Sequence, residues 1–262
     1  MTRIVGVAGQ PIGHSLSPLI HGAWIAAAGL DARYEAFEPA DEDAFAALAE
    51  RVRAGELTGL NVTAPFKEAA FALADGVSDT ARRCGSANLL VRRGAGLWAD
   101  STDGRGLLAA LAEQAPGLDL AEAPVVVLGA GGAARAAVAA LIEARAQVTV
   151  VNRSQNRAKA LAADLGAMVG GAEAVRDARL IVNALSVQPE LDMTALRPDA
   201  VLMDMSYRPV VTPFLTAGRA RGLTTVDGLA MLIGQARPSF EAFFGVAPPA
   251  VDVRTLALEA AS

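Results

Sequence analysis

What this chain has little of narrows the field first. It holds one cysteine, Cys84, so an intramolecular disulfide and a cysteine-rich zinc cluster are excluded and a reducing, cytoplasmic setting is expected. No histidine lies near Cys84 in sequence, and the thiol reads as a small buried hydrophobe. The two histidines, His14 and His21, share a segment without a carboxylate; no metal is expected, and each reads as a hydrogen-bonded structural imidazole. With a net charge of −5 and no basic run, nucleic acid and membrane surfaces are not expected partners. Long apolar runs are also missing. Ile4–Leu30 carries no formal charge, and Arg3 with Ala26-Ala27-Ala28 imitates a signal peptide. Gln10, Pro11, Gly13, His14, Ser15, Ser17, Pro18 and His21 interrupt it, so it reads as a strand, a polar loop and a helix.

What the chain does have is aliphatic material, 53% hydrophobic residues over 262 positions, room for two cores. Its organising stretch is Val125-Val126-Val127-Leu128-Gly129-Ala130-Gly131-Gly132-Ala133-Ala134-Arg135. Four apolar residues read as a buried parallel strand, and an Ala-rich helix from Ala133 to about Arg145 follows the glycine turn. Gly129, Gly131 and Ala134 fit the dinucleotide pattern in the strand–turn–helix context it requires. Gly129 permits the tight turn, Gly131 lets backbone approach a pyrophosphate, and Ala134 allows close helix–strand packing. The helix start offers N–H groups and a positive dipole end to phosphates.

The rest of the chain alternates strands and helices. Strands are expected at Arg3–Val7, Arg33–Phe37 and Gly59–Thr63, with a hairpin of Ala87–Val91 and Gly96–Ala99. Helices are expected at Pro18–Ala28 behind an Ser17 N-cap, at Glu42–Ala54, from about Pro65, at Asp79–Cys84, and at Gly104–Glu113. Further strands follow at Gln147–Val151, Leu180–Asn183, Val201–Met205 and Thr224–Val226, with helices at Arg157–Leu165, at Gly228–Phe244 interrupted by Pro238, and at Val253–Ala261. Such alternation predicts an α/β fold with a doubly wound parallel sheet.

Three clusters could carry chemistry. An NAD site wants a carboxylate at the end of the strand after the glycine loop. Here stand Asn152, Arg153 and Ser154, with Arg157 a turn on, so two guanidiniums could clamp a 2′-phosphate and NADP is expected. In Asn61-Val62-Thr63-Ala64-Pro65-Phe66-Lys67, Asn61 and Thr63 share a strand face and Lys67 follows the strand end. Ser101-Thr102-Asp103-Gly104 falls where the two α/β units join, a usual position for ligand clefts.

Taken together the motifs resemble the shikimate dehydrogenase family from about Gly6 to Val246. They are Pro11-Ile12-Gly13-His14-Ser15-Leu16-Ser17-Pro18 with His21, Asn61–Lys67, Gly85-Ser86-Ala87-Asn88, Ser101–Gly104, Gly129–Arg135, Asn152-Arg153-Ser154, Asp204-Met205-Ser206-Tyr207, and Asp227-Gly228-Leu229-Ala230-Met231-Leu232 with Gln235. The resemblance implies NADP-dependent reduction of 3-dehydroshikimate to shikimate, in the pathway to aromatic amino acids. It implies Lys67 and Asp103 as the catalytic pair. It also implies Ser15, Ser17, Asn61, Thr63, Asn88, Tyr207 and Gln235 around the small-molecule substrate. Cofactor contacts would come from Gly129, Ala130, Gly131, Gly132, Ala133, Asn152, Arg153, Ser154, Arg157, Ala184, Met205, Gly228 and Met231. The fold implied is a Rossmann-type NADP domain over 104–229 and an N-terminal α/β substrate domain, 1–103, completed by C-terminal helices in 230–262. A monomer or homodimer is expected.

The chain departs from the family pattern in places. His21-Gly22 replaces His-Asn, Ser101-Thr102-Asp103 replaces Asn-Thr-Asp, Asn183-Ala184-Leu185 replaces Asn-Ala-Thr, and Gly85-Ser86-Ala87-Asn88-Leu89 replaces Gly-Ala-Val-Asn-Thr. A quinate/shikimate or aminoshikimate dehydrogenase paralogue is therefore an alternative. So is a non-catalytic NADP-binding regulator, a reading that loss of Lys67 or Asp103 would have favoured; both are present.

Overall fold

The computed structural model describes residues 2–261, so the expected domain ends at Met1 and Ser262 lie outside the described residues. The chain divides into two compact units, one formed by 2–102 with Gln235–Ala260 and the other by Asp103–Gly234.

The first unit contains β1 (Arg3–Ala8), α1 (Ser17–Ala27), β2 (Ala32–Phe37), α2 (Glu42–Ala54), β3 (Gly59–Val62), α3 (Lys67–Leu73), β4 (Gly76–Val77), α4 (Asp79–Cys84), β5 (Leu89–Arg93) and β6 (Gly96–Asp100). Its sheet runs β2-β1-β3-β5-β6-β4. β1 pairs in parallel with β2 and β3, and β5 runs antiparallel to β3 and β6. Local chemistry sets the element ends. Asp41 caps α2 by accepting the Ala44 N–H at 2.8 Å, and Gly55 stops the helix at φ 83°. Ser78 caps α4 the same way, and Gly85 ends it at φ 59°. The core between α2, α3 and the sheet holds Phe45, Phe66, Leu60 and Leu90, with Phe45 and Phe66 stacked at 4.9 Å.

Two local expectations are corrected here. Ser17 is the first residue of α1, and the cap position belongs to Leu16, which offers no side-chain bond. His21 is fully buried, stacked on Tyr34 with centroids 4.3 Å apart, yet both ring nitrogens lack a hydrogen-bond partner. Aromatic packing against Trp24, Phe240 and Phe243 holds it instead.

The second unit contains α5 (Asp103–Gln114), β7 (Pro124–Leu128), α6 (Gly132–Glu143), β8 (Gln147–Val151), α7 (Gln155–Leu165), β9 (Met168–Val169), β10 (Leu180–Asn183), β11 (Val201–Asp204), α8 (Pro213–Ala220) and β12 (Thr224–Val226). Its sheet is parallel throughout, in the order β12-β11-β10-β7-β8-β9. Alternate residues of β7 enter different cores. Val125 and Val127 pack with α5 and α6, whereas Val126 and Leu128 pack with Phe214 and Leu215 of α8. Both faces are thus covered, which is why these strands are continuously apolar.

Two further helices complete the chain, α9 (Gly228–Phe244) and α10 (Val253–Ala261). Asp227 caps α9, its Oδ1 accepting the Ala230 N–H at 2.9 Å. Pro238 lies inside α9 without interrupting it, a third correction to the sequence pattern. The unit boundary falls within this helix, so the first unit takes in α10 and the larger part of α9.

Candidate active site

In the second unit the parallel sheet reverses its winding between β7 and β10, the place where such sheets bind ligands beyond their carboxyl ends. The turn after β7 lies there. Gly129 adopts φ 118°, and a Cβ on it would approach the Ala184 carbonyl at 3.2 Å, so the turn requires glycine. Gly131 is the extended N-cap of α6 and gives it no side-chain bond, and a Cβ on Gly131 or Gly132 would meet nothing within 4 Å. An open helix start with unspent N–H groups is a fit for a pyrophosphate. Ala134 is fully buried in the core, as close helix–strand packing requires.

At the end of neighbouring β8, Asn152 donates from Nδ2 to the Ser154 carbonyl at 3.0 Å, shaping the turn into α7. Arg153 and Arg157 are both exposed and neither is in an ion pair among the described residues. No carboxylate lies at 152–157 to bind a ribose 2′-hydroxyl, and two cations do; the set fits a 2′-phosphate. At the end of β11, the buried Asp204 shapes the segment carrying Met205 and Tyr207. Its carboxylate accepts from Asn183 Nδ2 at 3.1 Å, the Ser206 N–H at 3.0 Å and the Thr212 hydroxyl at 2.7 Å. Gly228 lies against the same segment, since a Cβ there would fall 2.4 Å from the Ser206 carbonyl and 2.6 Å from that of Met205. Ala184 follows β10, and Met231 is buried in the core below.

In the first unit Asn61, Asn88 and Gln235, three of the residues expected around a substrate, join one hydrogen-bonded cluster with Thr102 and Ser239. Asn61, on β3, donates from Nδ2 to Ser239 Oγ at 2.8 Å and to the Asn88 carbonyl at 3.2 Å. Asn88 in turn donates to Thr102 Oγ1 at 2.9 Å and Gln235 Oε1 at 3.1 Å, and accepts the Thr102 N–H at 2.7 Å. The Thr102 hydroxyl stands 3.2 Å from Gln235 Oε1. All five side chains are buried. Ser15 lies in the loop after β1 and its Oγ accepts the Ser17 N–H at 3.3 Å. Thr63 follows β3 and donates its N–H to the Ala8 carbonyl at 2.8 Å. Lys67 opens α3, and its carbonyl accepts the Ala87 N–H at 2.9 Å, so its backbone is tied to the residue next to Asn88. Thr102 is tied to Asn88 as well, and the next residue in the chain is Asp103, buried at the start of α5.

Sequence reasoning missed three members of this network. Thr102 was part of a motif without a role of its own. Tyr34 donates its hydroxyl to Asn61 Oδ1 at 2.8 Å. Ser239 reaches Asn61 across 178 positions of sequence. A tyrosine on an alternating strand and a serine on an apolar helix give no signal of this kind in the sequence.

A parallel sheet in this strand order, with an open glycine turn at its switch point, defines a dinucleotide-binding α/β protein. Family models agree and narrow it: residues 7–90 match the shikimate dehydrogenase substrate binding domain, and 110–187 match shikimate / quinate 5-dehydrogenase. The chain is 53% identical over 269 residues to shikimate dehydrogenase (NADP(+)) of Caulobacter vibrioides, covering 97% of this chain and 94% of that one. It is 45% identical to the protein of the same name in Acidiphilium cryptum, covering 94% and 92%. The crystal structure of shikimate 5-dehydrogenase from Thermus thermophilus, in complex with NADP(H) and shikimate, superposes with a TM-score of 0.91 at 36% identity, covering 99% of this chain and 100% of that one. The chain belongs to the shikimate dehydrogenase family. Among the described residues, no helix is long and apolar enough to cross a membrane.

Proposed function

We propose that this protein catalyses the reversible NADP-dependent reduction of 3-dehydroshikimate to shikimate, in the biosynthesis of aromatic amino acids. The observation that carries this reading is the 53% identity over nearly the whole chain to a protein named for that activity. The intact polar cluster of Asn61, Asn88 and Gln235 supports it. Gly129 to Ala133 would hold the pyrophosphate of NADP, and Arg153 and Arg157 its 2′-phosphate, with Asn152, Ser154, Ala184, Met205, Gly228 and Met231 completing the cofactor set. NADPH, when bound, supplies a hydride.

The chain's own residues do the rest. A carbonyl carbon that receives hydride leaves negative charge on its oxygen, and that oxygen needs a proton or a cation. Lys67 supplies it. Asp103 orients the Lys67 ammonium and accepts a hydrogen bond from a substrate hydroxyl. Ser15 and Ser17 take the substrate carboxylate, while Asn61, Thr63, Asn88, Tyr207 and Gln235 take its hydroxyls. Gln235 and Thr102, already bonded to Asn88, hold that amide in place. The protein works in the cytoplasm as a monomer or homodimer, a setting supported by its single buried cysteine.

Initial rates with shikimate and quinate, each with NADP and NAD, test the reading. Shikimate with NADP should be the best pair, and no turnover of it would sink the proposal. Lys67→Ala and Asp103→Ala should each lower kcat by roughly two orders of magnitude or more, as loss of a general acid or its partner does. Near-normal rates in both would remove the pair from the mechanism.

A further inference from the structure

Of the four edge strands in the two sheets, three are short: β4 and β9 have two residues each and β12 has three. Short edges are one way in which sheets avoid pairing with other chains. β2 is the exception, with six residues, Ala32-Arg33-Tyr34-Glu35-Ala36-Phe37, and no proline or glycine to break it. Its inner side is fixed by β1. The Arg3 N–H donates to the Asp31 carbonyl at 3.0 Å and the Gly9 N–H to the Phe37 carbonyl at 3.2 Å. The parallel register between those bonds turns the backbone of Arg33, Glu35 and Phe37 toward β1. The N–H and C=O groups of Tyr34 and Ala36, with the Ala32 carbonyl, therefore point outward, where no further strand follows. The Ala32 N–H is taken by the Leu30 carbonyl at 2.9 Å.

Arg33 and Glu35 stand two apart on one face of β2 and form an ion pair there, their side chains 60% and 37% exposed. Charges on an edge usually repel a second strand, but this pair is complementary to a copy of itself. A second β2 laid antiparallel about a two-fold axis at Tyr34 exchanges N–H and C=O with Tyr34, and its Ala36 N–H meets the Ala32 carbonyl. Those are the groups that already point outward, so the backbone need not change. In the closely spaced pairs between them, each Arg33 stands opposite the Glu35 of the other copy. A slip of two residues sets Arg33 against Arg33 in one direction and Glu35 against Glu35 in the other, which is unfavourable. A slip of one residue brings inward-turned groups to the edge and makes no ladder. We propose that this protein self-associates as a two-fold dimer through antiparallel pairing of β2, in the register centred on Tyr34. The first-unit sheets of two copies then become one, and the contact closes at two copies because it is isologous. The catalytic reading plays no part in this argument.

Sedimentation equilibrium of the full-length protein at concentrations up to about 100 μM reads the association. The wild type should be a mixture of monomer and dimer. Arg33→Glu or Glu35→Arg alone sets like charges opposite each other and should raise the dissociation constant about tenfold or more. The double exchange, Arg33→Glu with Glu35→Arg, restores the complementarity and should return the constant to within about threefold of wild type. Ala36→Pro removes an outward N–H at a place where an edge strand tolerates proline, and should abolish the dimer with little change in melting temperature. A wild type that is monomeric throughout would overturn the proposal. So would a dimer indifferent to the reversals or to Ala36→Pro, or a double exchange that associates no better than the single variants. If Ala36→Pro does not fold, the three charge variants, all at exposed side chains, decide alone.

Discussion

At the scale of single residues, His21 is fully buried and for that reason sensitive to a change of pH. Enclosed by Trp24, Tyr34, Phe240 and Phe243, with no group to stabilise a charge, its imidazole has a pKa lowered from 6.5 to about 3 by burial. Between those values the unfolded chain binds a proton that the folded chain does not. Stability therefore rises with pH across this window and is lost as pH falls through it. From pH 7.5 to 5 the loss should be about 2 kcal/mol, at about 1.4 kcal/mol per pH unit below 6.5. The carboxylates held below their usual range, Asp75, Asp192, Asp199 and Asp252, start to lose stability only as pH falls through the unfolded value of 3.8, so pH 5 isolates the histidine. Urea midpoints at the two pH values would check this, and His21→Phe should flatten the difference. An equal slope in that variant would assign the acid sensitivity elsewhere. The unpartnered nitrogens of His21 also show where sequence reasoning stops. Its motif placed it beside a polar loop, but a helix turn of α1 directs it into an aromatic core instead.

At the scale of elements, most of the alternation was legible because it rests on local chemistry: Asp41 and Ser78 start helices, and Gly55, Gly85 and Gly166 end them, whereas α8 behind its Thr212 cap was not read from the sequence. The two-residue strands β4 and β9 were not legible, since two residues have no period. The glycines are told apart only by their surroundings. Gly22 lies within α1 with nothing within 4 Å of a Cβ, whereas a Cβ on Gly228 would strike two backbone carbonyls. Gly22→Ala should therefore stabilise the protein by up to about 1 kcal/mol, the ordinary helix-interior difference. Gly228→Ala should destabilise it by roughly 2 kcal/mol, since backbone carbonyls cannot yield as a flexible side chain would. Thermal unfolding of the two variants against wild type separates them by sign. Shifts in the same direction would mean that the space around these positions is not what decides.

At the scale of the whole molecule, the parallel unit was legible from its apolar strands and its glycine turn, and the strand order was not. Order depends on which strands meet, and Val125, Val148, Leu180 and Val201 are interchangeable as buried aliphatics. Knowing the order gives Arg153 its meaning: β8 adjoins β7, so the turn carrying Arg153 follows the strand next to the one that ends in the glycine loop. A 2′-phosphate would bind two guanidiniums there through charge-assisted bonds, whereas a 2′-hydroxyl would offer them little. Arg153→Ala should raise the KM for NADP by about tenfold or more and leave the KM for shikimate and for NAD within about twofold. Because exposed charge pairs are screened, the penalty should shrink between low and high salt. Equal changes in the constants for NADP and NAD would show that Arg153 supports the turn rather than reading the phosphate, and the preference for NADP would then have to rest on Arg157.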